Sequence, residues 1–117
     1  MSFNDLKMKI EIEHKLGLIK AIEKLDGFFD QLTESEMAEG ISIQNPQKNW
    51  SGNTMNISFK VQKGFLSVKI KCRVTVLENS IIIELDIPAL VLKFVSEEKI
   101  RTIFSERAEK LLIEDTM

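Results

Sequence analysis

Leu66-Ser67-Val68-Lys69-Ile70-Lys71-Cys72-Arg73-Val74-Thr75-Val76 alternates an apolar with a polar side chain for eleven residues. A period of two puts Leu66, Val68, Ile70, Cys72, Val74 and Val76 on one face of a strand roughly 36 Å long. Ser67, Lys69, Lys71, Arg73 and Thr75 fall on the other face. A strand that is apolar on one side only belongs in an antiparallel sheet with one face on a core and the other in water.

The same rhythm extends both ways from this stretch. Upstream, Lys63-Gly64 marks a reversal, and Met55, Ile57, Phe59 and Val61 alternate with Asn56, Ser58 and Lys60. Trp50-Ser51-Gly52-Asn53 reads as the turn before that strand. Ile41 and Ile43 alternate again, but Asn45-Pro46 follows, and a proline that cannot donate to a ladder argues for an edge strand or a break. Downstream, Glu78-Asn79-Ser80 turns the chain into a strand with Ile81, Ile83, Leu85 and Ile87 inward, which Pro88 stops. Near the N-terminus, Lys7 to Glu13 alternates with Met8, Ile10 and Ile12 on one side.

Two segments carry a helical period instead. Leu18, Ile22, Leu25, Phe29 and Leu32 make one stripe and predict a helix from about Leu16 to Leu32, with Thr33 to Glu36 and Gly40 ending it. Ser96 is the N-cap of a second helix, with Glu97 and Glu98 in the first turn and Ile100, Ile103, Phe104, Ala108, Leu111 and Leu112 as its stripe. The order β-α-β-β-β-β-α predicts a two-layer α+β domain, a mostly antiparallel five-stranded sheet with two helices on one face. A chain of 117 residues makes one domain, 1–117, with an ordered core over about 7–112.

Composition excludes several chemistries. One Cys (Cys72) and one His (His14) cannot form an intramolecular disulfide, a Cys/His zinc site or a nucleophile with a spare base. No catalytic residue, cofactor site or metal site is assigned, and the chain is read as a non-enzyme. Sixteen Lys and Arg against eighteen Asp and Glu provide no global field for nucleic acid. Met1 to Lys7 lacks a basic region followed by an apolar run, and Pro88-Ala89-Leu90-Val91-Leu92 falls far short of the roughly 20 residues that span a bilayer. The expected location is therefore cytoplasmic, with a reduced thiol.

Each conspicuous residue has a plain structural reading. His14 keeps the parity of Met8, Ile10 and Ile12 and is expected to serve the strand-to-helix junction. Cys72 belongs to the core set, where burial keeps a thiol neutral. Lys69, Lys71 and Arg73 share a face beside Lys60 and make either a basic stripe or the partners of Glu84 and Asp86 on the next strand. The cross-strand pairing is the simpler account. Ala89 to Val95, with Leu90, Leu92 and Phe94, either packs under the sheet end or forms an apolar contact patch. Trp50 is an anchor or a contact residue by the same reasoning.

Glu13-His14-Lys15-Leu16-Gly17, the Trp50-Ser51-Gly52-Asn53 turn, Gly64 before the longest strand and the closing segment from Pro88 to Leu112 together resemble the small polyhydroxyalkanoic acid system proteins of bacteria. The resemblance runs from about Lys7 to Leu112. His14, Leu16, Gly17, Trp50, Gly52 and Gly64 are the positions that match the family's pattern. Glu13 stands where the family often has proline, and Asn53 where it has an acidic residue. The resemblance implies a protein associated with polyhydroxyalkanoate granules or with granule proteins, in a family with no established catalytic activity.

The first expected function is thus a granule-associated binding protein, with Leu90, Leu92 and Phe94 as candidate contacts. The alternative is a small apolar or acyl ligand held in a cavity between sheet and helices, with His14 among its few polar groups. A homo-oligomer formed through the outward sheet face or an open edge is a third reading.

Overall fold

A computed structural model describes residues 6–28, 42–93 and 95–112. Five strands, β1 (Leu6–Glu13), β2 (Ser42–Ser51), β3 (Thr54–Lys63), β4 (Leu66–Val76) and β5 (Ser80–Ile87), form one sheet in the order β1-β5-β4-β3-β2. Every neighbouring pair is antiparallel, so β2 to β5 make a meander and β1 closes against β5. Helix α1 (Leu18–Leu25) follows β1, and helix α2 (Glu97–Leu112) ends the described chain after a single 3₁₀ turn at Val91–Lys93. This is the α+β architecture that the alternating segments predict.

The period-two sets land on the core over most of their length, Leu66 being exposed and Ile12 and Val68 only partly buried. Met8 and Ile10 of β1, Met55 to Val61 of β3, Ile70 to Val76 of β4 and Ile81 to Ile87 of β5 are buried at every inward position. Ala21 and Leu25 of α1, with Ile100, Ile103, Phe104, Ala108 and Leu112 of α2, cover that face. Phe28 and Phe104 meet edge to face with ring centroids 5.9 Å apart, which locks the end of the first helical segment onto α2.

Local chemistry sets the boundaries. Helix α1 begins at Leu18 rather than at Leu16, because Gly17 sits at φ +80 and cannot be a helical residue. Its first turn closes from the Ala21 N–H to the Gly17 carbonyl. After Leu25 the chain tightens, with Gly27 N–H donating to the Lys24 carbonyl, a 3₁₀-type closure. Phe29, Leu32 and the expected end at 33–40 lie outside the described residues, as does Ile41. Ser96 caps α2 as predicted, its Oγ accepting the Lys99 N–H at 3.1 Å. Asn45-Pro46 does not break β2. The strand lies at the sheet edge and absorbs the proline as a register shift between Gln44 and Gln47. The turn expected at Trp50–Asn53 is shorter, since Trp50 and Ser51 still pair with Met55 and Thr54, leaving Gly52-Asn53 as the two-residue link.

Candidate functional site

His14 ends up in the core side of a corner and is only 7% exposed. Its Nδ1 accepts the Leu16 N–H at 3.1 Å, and its Nε2 lies 3.1 Å from the Leu77 carbonyl. Those two bonds require the tautomer with hydrogen on Nε2. Both ring nitrogens are therefore committed to backbone, and the imidazole staples the β4–β5 turn to the start of α1. Gly17 passes the same corner, where a Cβ would stand 3.7 Å from Oε1 of Glu78. His14, Leu16 and Gly17 thus act together in chain geometry.

Trp50 is an anchor as well. Its Nε1–H donates to Asp26 Oδ1 at 2.8 Å, and Lys48 Nζ donates to the same oxygen at 2.8 Å. These bonds tie edge strand β2 to the end of α1 and hold the Asp26 carboxyl below its ordinary range, Lys48 having the larger effect and Trp50 the next. Asn53 fixes the β2–β3 link: its Nδ2 donates to the Val76 carbonyl at 2.6 Å, a bond no ionised carboxylate could make. Gly52 and Gly64 adopt φ of +61 and +60 with open space where a Cβ would stand, so these turns need conformational freedom rather than room.

Cys72 is fully enclosed in β4, and burial pushes its thiol pKa up, so the thiolate needed for chemistry is suppressed. Among the described residues no three His, Cys, Asp or Glu side chains gather where a metal could sit, and no helix is long and apolar enough to cross a membrane. The segment after β5 is mostly committed inward. Val91 and Val95 are core residues, Leu92 packs against the core and Leu90 is half-buried, while Phe94 lies outside the described residues.

The uncovered face of the sheet carries charges in register. Across β1, β5 and β4 the order is Lys7, Asp86, Lys71 in one row and Lys9, Glu84, Arg73 in the next. The acids of the middle strand thus lie between bases on both sides, and Arg73 Nε reaches Glu84 Oε1 at 3.7 Å. A groove of about 640 Å³ crosses this face, lined by these charges with Gln47 and Asn56. Here the cross-strand pairing reading holds.

The compensation stops toward Gly64. The last β4–β5 pair is Lys71 with Asp86 and β5 ends one residue on at Ile87, so Leu66 to Lys69 of β4 extend about 13 Å beyond their β5 neighbour. Within that extension Lys60 on β3 stands directly opposite Lys69 on β4, and neither makes an ion pair among the described residues. At its end Gly64-Phe65 forms the two-residue link between Lys63 and Leu66. Phe65 is wholly exposed at 106%, and Leu66 beside it is 41% exposed. The hairpin tip therefore offers an unburied phenyl ring and an isobutyl group, with two opposed ammonium groups behind them. Ile19 and Leu77 are also exposed, but they belong to the opposite end of β4 and the start of α1.

Sequence reasoning placed a reversal at Lys63-Gly64 but assigned nothing to Phe65. The available signal was an apolar pair, Phe65-Leu66, directly after a turn glycine and flanked by Lys60, Lys63 and Lys69.

No family model matches this sequence, and no curated protein is similar to it. Among solved structures the chain is similar to truncated norcoclaurine synthase from Thalictrum flavum, at 10% identity and a TM-score of 0.42 over 96% of this chain and 94% of that one. So distant a likeness transfers neither site nor chemistry.

Proposed function

We propose that this protein is a non-enzymatic binding module that docks on the surface of polyhydroxyalkanoate granules, and that the β3–β4 tip is the part that touches the surface. The observation that carries this reading is Phe65, wholly exposed beside the exposed Leu66 at the end of an extension that outruns β5. Leaving a phenylalanine in water forfeits about 1.5–3 kcal/mol of burial free energy. An apolar surface that covers the ring recovers it.

Two further facts support a binding role over a catalytic one. Both His14 nitrogens are engaged by backbone groups, and the Cys72 thiol is enclosed. Among the described residues the packing favours this reading over the small-ligand alternative, because Phe28, Phe59 and Phe104 are all fully buried in the core. The contact also moves from the predicted Leu90, Leu92 and Phe94 to the hairpin, since Val91 and Val95 fix that earlier segment in the core.

The test is co-sedimentation of the whole chain with polyhydroxyalkanoate particles, using inert hydrophobic beads of equal size as control. The wild-type chain is expected to pellet selectively with the polyester. The double variant Phe65→Asp, Leu66→Asp should stay in the supernatant with its unfolding transition in place. Undiminished pelleting of that folded variant would overturn the site.

A further inference from the structure

Apolar attraction alone would not need lysines at the hairpin. Lys60 and Lys69 are paired in register on the uncovered face, both exposed, with Gln44 and not an acid on the β2 side of Lys60. Like charges set directly opposite on one sheet face repel and lower stability. One register further back the sheet does the reverse, placing Asp86 and Glu84 between basic strands. Where β5 is present the register thus sets an acid beside each base, and where the hairpin projects it sets Lys60 opposite Lys69 with no acid beside either.

We infer that the β3–β4 tip docks on an anionic phospholipid surface, with Phe65 and Leu66 entering the interface and Lys60 and Lys69 meeting headgroup phosphates. This rests on the surface-docking reading above and names the kind of surface. The geometry suits it. Four residues separate Lys69 from Phe65 along β4, roughly 13 Å, so a ring at the acyl boundary leaves the ammonium groups at headgroup level on their flexible stems. Lys71, next along the same face, already lies opposite Asp86 and marks where the basic collar ends.

The experiment is sedimentation of the full chain with vesicles of phosphatidylcholine alone and of phosphatidylcholine mixed with phosphatidylglycerol. Binding is expected to the mixed vesicles only, and to fall as salt rises, since the screening length shrinks from about 10 Å at 0.1 M to about 3 Å at 1 M. The double variant Lys60→Gln, Lys69→Gln is expected to bind about 30-fold more weakly, a loss set by two surface lysines. Removing a repelling pair does not unfold the sheet, so a folded, weakly binding variant is the informative result. Equal binding to both vesicle types, or a double variant that binds as well as wild type, overturns the inference. Pelleting with bare polyester without binding to mixed vesicles leaves the granule reading standing and removes this one. The reverse pattern does the opposite.

Discussion

The Trp50 indole and the Asp26 carboxylate meet at 2.8 Å across 24 residues of sequence, one on the edge strand and one just past α1. Lys48 completes the contact on the same oxygen. Because both partners favour the ionised carboxyl, the Asp26 pKa is lower in the folded chain than in the unfolded one. Its contribution to stability is therefore complete above the unfolded value and disappears as pH falls through the lowered folded value. The carboxyl is largely exposed, so the effect belongs to the scale of surface pairs, roughly 0.2–1 kcal/mol. Urea unfolding followed by the fluorescence of Trp50, the sole tryptophan, measures this directly. Wild type should lose its advantage over Asp26→Asn on acidification; a constant gap between the two would contradict it.

His14→Ala is expected to destabilise the fold by about 2–3 kcal/mol, because the Leu16 N–H and the Leu77 carbonyl both lose their partner in a half-buried corner. Surface docking by the remaining folded fraction should be unchanged. A variant that keeps its stability but no longer docks would make His14 a binding residue instead.

Phe65→Ser isolates the tip from the core. The ring touches water on all sides, so its removal should shift the unfolding free energy by no more than about 0.5 kcal/mol. Docking, by contrast, should be lost. A large fall in stability would mean that the ring packs in solution.

Lys69→Glu turns the repelling pair into an attracting one. Chemical denaturation should show a gain of about 0.2–1 kcal/mol from the new pair with Lys60, while binding to phosphatidylglycerol vesicles falls. Stability and docking then move in opposite directions with one substitution, which a merely structural lysine would not produce.

Asn53→Asp places a carboxylate against the Val76 carbonyl. A loss of about 1–2 kcal/mol is expected in thermal or urea unfolding, and Asn53→Ser should lose less.

The strands were legible because side-chain parity is a property of consecutive residues. Met55 to Val61 and Leu66 to Val76 state their buried face without reference to anything distant. The N-cap at Ser96 was equally local. What parity cannot assign is a turn, since Phe65 has no face until the register of β3 and β4 places it at the tip. The same holds for Lys60 and Lys69. In sequence both belong to a basic stripe beside Glu84 and Asp86, and only the length of β5 decides which bases receive an acid. Ala89 to Val95 was ambiguous for a related reason, because a short apolar run has no period with which to separate core from contact. Tertiary packing alone places Val91 and Val95 in the core.

The docking proposed above would bring copies together in two dimensions, side by side. Such crowding is the setting in which one sheet recruits the next strand and grows into a fibre. Pro46 and the register shift beside it deny β2 an evenly spaced row of donors, leaving a short regular stretch from Gln47 to Ser51. At the far edge, Arg101 of α2 donates to the Lys9 carbonyl at 3.3 Å and occupies an acceptor of β1. The register shift at one edge and the occupied carbonyl at the other thus interrupt the rows of backbone groups that strand addition from a neighbouring copy would need.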